Sequence, residues 1–392
     1  MELTDVQYKE SEIGVIPVDW EVKKLIEISD LATGNTPPTN DQSNYGDEFL
    51  FVSPADLGKG KWITQTEKKL SKKGFSISRK FPKNSILFTC IGSTIGKSGM
   101  AQLELTSNQQ INAVIPSSKY ANEFIFYALD YISPRIKLLA GEQAVPIVNK
   151  TLFGETLLAV PPTKSEQTAI ATALSDTDAL IENLEKLIAK KRNIKQGVMQ
   201  ELLTGRKRLR GFSNEWKLKQ VGKIADVGRG RVISHREIDK ALESKYPVYS
   251  SQTSNDGIMG YLDTYDFDGE YITWTTDGVN AGKVFHRLGK FNCTNVCGTI
   301  RLKNDYAPFV ALILDRTTPR HVSINLANPK LMNDPMKKIE ILLPAFEEQK
   351  AIAEILSELG NEIKALQHKL NKYRMIKQGM MQSLLTGKIR LV

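Results

Sequence analysis

The chain has 392 residues, 41% hydrophobic and 8% aromatic, proportions that suit two or three globular domains rather than a disordered polymer. No apolar run approaches the ~20 residues of a membrane span, and no secretory leader pattern opens the sequence, so a cytoplasmic protein without membrane contact is expected. Three cysteines cannot build a disulfide framework and only four histidines are present, so no metal site is expected, while a formal net charge of +9 suggests a polyanionic partner.

Residues 20–160 hold short apolar runs, EFLFVS, SILFTCIG and INAVIP, separated by Gly, Pro, Asn and Ser, with one helical stretch at NEFIFYALDYI. This pattern predicts a mixed α/β block. Two polar clusters sit at the ends of its strands, TPPTNDQSN at 36–44 and SNQQ at 107–110. Carboxamides can pair with adenine edges, which makes Asn40, Gln42, Asn44, Asn108 and Gln109 candidates for DNA contact, with Thr36 a further candidate at the head of the first cluster. The same residue types also favour turns for backbone reasons. CIGSTIGKSG imitates a phosphate-binding loop, but three residues rather than four separate Gly92 from Gly96, and strand-like sequence follows where a helix is required.

From Pro161 and Pro162 the pattern changes. Ile170, Leu174, Thr177, Ile181, Leu184 and Ile188 step by three and four, a heptad seam of a long helix that stops at Thr204 and Gly205. A second α/β block follows over 216–343, with YPVYSS, EYITWTT and CGTIRL as strands and APFVALILD as its helix. It offers Arg229, Arg231, His235 and Arg236 as a basic cluster, Arg or Lys being suited to guanine. Ser251 and Gln252 in SSQTSN, Thr276 in TTDGVNAGK and Asn295 in NCTN complete the candidate set. After Pro344 a second heptad helix carries Ile352, Leu356, Ile363, Leu366 and Leu370 in the same phase.

The two helices are copies. IKQGVMQELLTG at 194–205 returns as IKQGMMQSLLTG at 376–387, and Glu166, Gln167, Ala169, Ile170, Ala171, Leu174 and Ser175 return as Glu348, Gln349, Ala351, Ile352, Ala353, Leu356 and Ser357. A weaker echo pairs Trp20 in DWEVKKLIEI with Trp216 in EWKLKQVGKI. The expected organisation is a domain at 1–160, a spacer helix at 161–207, a second domain at 208–343 and a second spacer helix at 344–392. Packing the two copies on each other buries both seams, and pseudo-two-fold symmetry favours an antiparallel pair, a spacer rod about 55 Å long. A homodimerising coiled coil would bury them as well. No catalytic motif is found: there is no methyltransferase Asn-Pro-Pro-Tyr or Pro-Cys element, no His-Glu-x-x-His helix and no Gly-x-Ser-x-Gly elbow.

Over essentially its whole length the chain resembles the specificity (S) subunits of type I restriction-modification enzymes. The resemblance rests on the Trp20 and Trp216 segments, GNTPPTNDQSNYGDEFLFVSPADL, FTCIGSTIGK followed by SNQQINAVIP, PPTKSEQTAIA and the doubled IKQG phrase. It implies two α/β target-recognition domains, each binding one half of a bipartite double-stranded DNA target, and two antiparallel helices that dock two methyltransferase (M) subunits. It further implies that S-adenosylmethionine belongs to the M subunits, that restriction and translocase (R) subunits join through the complex, and that this chain is not itself an enzyme. The loop Gly92–Lys97 matches a family motif and is expected to be structural, whereas TTDGVNAGK departs from it and leaves equivalence of the two blocks open. The rival readings are a coiled-coil interaction protein and a free-standing DNA-binding protein outside a restriction system.

Overall fold

Short apolar runs bounded by Gly, Pro and Asn can be buried only as strands, and the structure, a computed structural model describing residues 7–141, 144–323 and 328–391, places them so. By its internal contacts the chain divides into two units, one running to Glu185 and taking in His368 onward, the other spanning Lys186–Gln367. Each unit therefore combines an α/β block with one stretch of each long helix.

In the first unit EFLFVS supplies the strand Phe49–Val52, SILFTCIG supplies Ile86–Thr89 and INAVIP is Ile111–Pro116. A five-stranded sheet runs in the order Ser29–Thr33, Ile111–Pro116, Ile86–Thr89, Ser98–Ala101, Trp62–Ile63, with Leu87 opposite both Ala113 and Gly99. A second five-stranded sheet is centred on Phe49–Val52. The helix Asn122–Leu138 buries Phe124, Tyr127 and Leu129 in a core with Trp20, Phe88 and Phe153. Each such side chain contributes roughly 1.5–3 kcal/mol relative to exposure.

In the second unit YPVYSS, EYITWTT and CGTIRL become Tyr246–Tyr249, Phe267–Thr275 and Cys297–Leu302 in a six-stranded sheet, and APFVALILD lies in the helix Ala307–Thr317. The long hairpin partner Val284–Cys293 was not legible, because VFHRLGKFNC interleaves charges with its apolar positions. Gly298 is required by packing: a Cβ there would overlap the ring of buried Trp274, its register partner.

The long helices are Lys164–Leu202 and Phe346–Leu384. Gly205 and Gly387 follow them at φ 68° and 71°, left-handed conformations that end a helix at low cost for glycine. Their antiparallel course is visible inside each unit. In the first, Lys377 reaches Asp178 at 2.7 Å and Arg374 reaches Glu185 at 2.6 Å; in the second, Lys191 meets Glu362 at 2.7 Å. Along the seam Leu184, Ile188 and Leu370 are buried, while Ile181, Ile363 and Leu366 are partly exposed. Ile170 and Leu174 lie in the first unit's core and Ile352 and Leu356 in the second's, so the early turns of each helix pack on an α/β block.

The repeated Glu-Gln pair explains itself. Gln167 accepts the Ala121 N–H at 2.9 Å and donates to the Pro161 carbonyl at 3.0 Å; Gln349 does the same with Tyr306 and Pro344 at 2.9 and 3.0 Å. Buried Glu166 accepts the Arg390 guanidinium, and buried Glu348 accepts that of Arg208 at 2.6 and 2.7 Å. Each arginine stands 5.8 Å from a tryptophan ring, Arg390 over Trp20 and Arg208 over Trp216. The sequence echo between the two tryptophans is thus the echo of one three-residue clamp, built once per unit.

Candidate nucleic-acid interface

Strand ends and glycine turns bring distant loops of the first unit to one place. The Gly34 N–H donates to Ile111 O at 3.1 Å, and a Cβ on Gly34 would overlap Ser107 and the Asn108 carbonyl, so the 33–36 loop lies directly on 107–109. Thr36 Oγ1 is 2.6 Å from Gln109 Oε1. Arg79 joins them, its backbone N–H on Asn35 Oδ1 and its guanidinium on Thr33 O, both at 2.6 Å. Gln110 accepts from Asn108 Nδ2 at 3.1 Å and its carbonyl holds the Cys90 N–H at 2.9 Å, tying in the glycine loop.

The sequence candidates divide here. Thr36, Asn108 and Gln109 belong to this cluster. Asn40 and Gln42 are exposed further along the same loop. Asn44 is buried, its amide donating to Pro38 O at 3.2 Å while its backbone carbonyl accepts the Ser71 N–H at 3.0 Å, so it shapes the loop. Beside it Asp41 binds Lys73 at 2.7 Å and the Ser43 N–H at 3.1 Å, and these partners hold its carboxyl down at about 2. Asn35, Arg79 and Gln110 were not singled out from sequence. Arg79 had no local signal, because it reaches the cluster from 44 residues away.

In the second unit the same strand ends carry different chemistry. Arg229 binds Asn295 O, Thr276 Oγ1 at 3.1 Å and Asp277 at 3.2 Å, so three distant candidates or their neighbours meet. Thr276 is fully buried; Asn295 is exposed. Arg231 is held by Glu237 at 2.6 Å and Asp266 at 2.9 Å. Arg236 and His235 are exposed on the short helix His235–Asp239. Ser251 is partly exposed, and Gln252 donates to Ile258 O. Arg287 lies against the Tyr249 ring at 3.6 Å, its charge disfavoured by burial. The cysteines are buried, with Cys293 and Cys297 sulfurs 3.5 Å apart; burial pushes the Cys90 thiol up to about 12.

The glycine loops, left open by sequence, are one structure. Thr89 N–H donates to Lys97 O and Gly96 N–H to Thr89 O, as Thr275 does to Lys283 and Gly282 to Thr275. Gly92 N–H donates to Pro146 O and Gly278 N–H to Pro329 O. Gly92 and Gly96 have φ of 91° and 101°, Gly278 and Gly282 88° and 87°, values that exclude most side chains. Strands follow both loops, so neither has the helix N-terminus of a phosphate cradle.

On the helices the two copies of the repeated phrase share most of their exposure pattern. Ile194, Gln196, Gly197 and Gln200 are exposed, as are Ile376, Gln378, Gly379 and Gln382, while Leu202, Leu203, Leu384 and Leu385 are buried. A Cβ on Gly197 or Gly379 would meet nothing within 4 Å. Glycine inside an exposed helix costs roughly 0.5–1 kcal/mol relative to alanine, and nothing among the described residues requires it at either place. No helix among the described residues is long and apolar enough to cross a membrane.

The family model described as "Type I restriction modification DNA specificity domain" matches twice, over residues 17–191 and 213–373. A putative type I specificity subunit N-terminus of Mycoplasma pneumoniae is 44% identical over 142 residues, 36% of this chain and 75% of that protein. The specificity subunit of the type I restriction enzyme MjaIX of Methanocaldococcus jannaschii is 31% identical over 259 residues, 60% of this chain and 58% of its own. In fold, the chain is similar to the crystal structure of a type I restriction-modification S subunit from M. genitalium, with a TM-score of 0.67, 18% identity and 98% of each chain covered.

Proposed function

Because the chain belongs to the type I restriction-modification DNA specificity family and carries two of its domains, we propose that each unit reads one half of a bipartite double-stranded DNA target while each copy of the repeated phrase docks one methyltransferase subunit. The observation that carries this is the contrast between the two kinds of surface. Four exposed residues of the phrase, Ile, Gln, Gly and Gln, are the same in both copies, with Glu201 against Ser383 the one exposed departure, as two identical partners would require; the loop clusters share a backbone and differ in side chains, as two different half-sites would require. An exposed mid-helix glycine with open space around it admits close approach by a partner's backbone. S-adenosylmethionine and the methyl transfer then belong to the M subunits, the R subunits join through the complex, and this chain supplies recognition alone. The antiparallel helices would set the gap between half-sites.

Methylome sequencing of cells co-expressing the chain with its methyltransferase tests the reading. Wild type should give a bipartite motif, and the purified chain alone should methylate nothing. Exchanging residues 20–160 for those of a relative should change one half-site, and a change in both would refute independent reading. Gly197→Ala and Gly379→Ala should leave the chain folded, more stable by roughly 0.5–1 kcal/mol, yet weaken methyltransferase binding. Unaltered binding in the double variant would remove the phrase as the docking surface.

A further inference from the structure

The loop cluster of the first unit is a field of hydrogen-bond donors whose acceptors are already engaged. Asn35 Oδ1 accepts the backbone N–H of Arg79 at 2.6 Å, and Asn108 Oδ1 accepts that of Gln110 at 3.1 Å. A backbone N–H can only donate, so both amides are oriented by chemistry, with oxygen inward and the NH2 as the other end. Asn108 Nδ2 then donates to Gln110 Oε1 at 3.1 Å, which leaves Gln110 Nε2 as that side chain's unengaged end. Gln109 continues the pattern, with its oxygen 2.6 Å from the Thr36 hydroxyl. Arg79 is exposed and gives one N–H to Thr33 O at 2.6 Å; its remaining guanidinium donors have no hydrogen-bond partner among the described residues. No carboxylate joins this set, since Asp41 on the adjoining loop is held by Lys73 at 2.7 Å. In the second unit, by contrast, Arg229 and Arg231 are both tied to carboxylates.

The unengaged ends of Asn35, Gln110 and Arg79 are donors, and they fit a base edge that offers acceptors. In the major groove guanine alone offers two adjacent acceptors, O6 and N7; thymine has the single acceptor O4 beside its methyl group, adenine places a donor beside its acceptor, and cytosine presents a donor. The planar guanidinium matches the two guanine acceptors with two parallel N–H bonds. We infer that the half-site read by the first unit contains a G·C pair whose guanine edge is held by Arg79, with the Asn35 and Gln110 amides donating beside it. Arg79 is thereby the specificity-determining residue for that pair. The inference rests on the proposal that each unit reads one half-site, and deepens it.

The test uses the full chain with its methyltransferase partner and methylome sequencing, the block exchange identifying which half-site belongs to the first unit. If wild type yields no bipartite motif, the parent reading fails before any variant is considered. Given a motif, the first unit's half-site must contain a G·C pair. Arg79→Ala should then lose roughly 5- to 150-fold of the preference for guanine at that one position, with the other half-site unchanged as the internal control of folding. Arg79→Lys keeps the charge and loses the fork, and should likewise relax that position while overall methylation persists; it decides alone if the alanine variant does not assemble. A half-site without a G·C pair would overturn the inference. So would an unchanged motif in both variants, or uniform weakening at all sequences with a shallower salt dependence, which is the signature of a phosphate contact.

Discussion

The loop clusters of the two units are built on the same backbone and dressed in opposite ways. Gly34 and Gly230 stand at corresponding close approaches, each donating its N–H across the sheet end, to Ile111 O and to Cys297 O. Around Gly34 the side chains are carboxamides and one arginine with spare donors; around Gly230 they are arginines neutralised by Asp277, Asp266 and Glu237. The comparison shows where variation is cheap. Backbone hydrogen bonds and positive-φ glycines hold the loops in place, so the residues between them can change chemistry without moving the frame.

The comparison is broken most forcefully at the clamps. Arg390 bridges two carboxylates, Glu166 and Asp19, the second at 2.9 Å, whereas Arg208 meets Glu348 alone and the Asn214 carbonyl. Arg390→Ala leaves the buried Glu166 carboxylate unpaired and should destabilise the first unit by about 3–5 kcal/mol. Arg208→Ala should give a smaller loss confined to the second unit. Hydrogen exchange resolved by unit, with urea titration, measures both; equal losses would mean that Asp19 adds nothing to the first clamp, and losses in the wrong unit would mean the clamps do not serve separate units.

A smaller effect is expected at the paired glycines. Gly34→Ala and Gly230→Ala each force a Cβ into backbone carbonyls, of Asn108 in one case and of Cys293 in the other. Each should cost about 1–3 kcal/mol of local stability and blur one half-site in the methylome. If both variants disturbed the same half-site, the structural equivalence of the two loops would have no functional counterpart.

The smallest effect separates two loop anchors. Asp41 holds its loop through the Lys73 side chain and the Ser43 N–H, with its carboxyl lowered to about 2, while Asp263 is lowered by the backbone N–H groups of Leu242, Glu243 and Ser244. Both folded values lie below the unfolded carboxyl near 3.9. The anchoring is therefore fully present above that pH and is lost as pH falls through the folded value, for Asp41 about 2. Carboxyl titration by NMR in low and in 1 M salt should show the Asp41 value rising with salt and that of Asp263 staying put, because an exposed ion pair is screened and backbone hydrogen bonds are not. A salt-insensitive Asp41 would assign its shift to Ser43 instead.

Much of this protein could be read from the chain alone. The doubled IKQG phrase, the heptad phase, the flanking prolines and the terminal glycines marked two copies of one long helix, because helix periodicity and caps are local properties. The strands at EFLFVS, SILFTCIG and INAVIP were equally legible, as apolar runs too short and too bounded for helices. What sequence could not supply was assembly. The seam does more than bury one helix on the other: Ile170 and Leu174 share the first unit's core with Leu384 and Leu385 as well as with the α/β block, Ile352 and Leu356 share the second's with Leu202 and Leu203, and Leu184, Ile188 and Leu370 are buried along the helices. Asn44 and Thr276 read like surface polar residues but are buried, because burial depends on neighbours far along the chain. TTDGVNAGK looked unlike CIGSTIGKSG because their likeness lies in φ angles and backbone hydrogen bonds, which several sequences satisfy. Arg79 joined the loop cluster only through Thr33 and Asn35, 46 and 44 residues away, and whether an arginine faces a carboxylate or an open donor field is decided by such long-range packing.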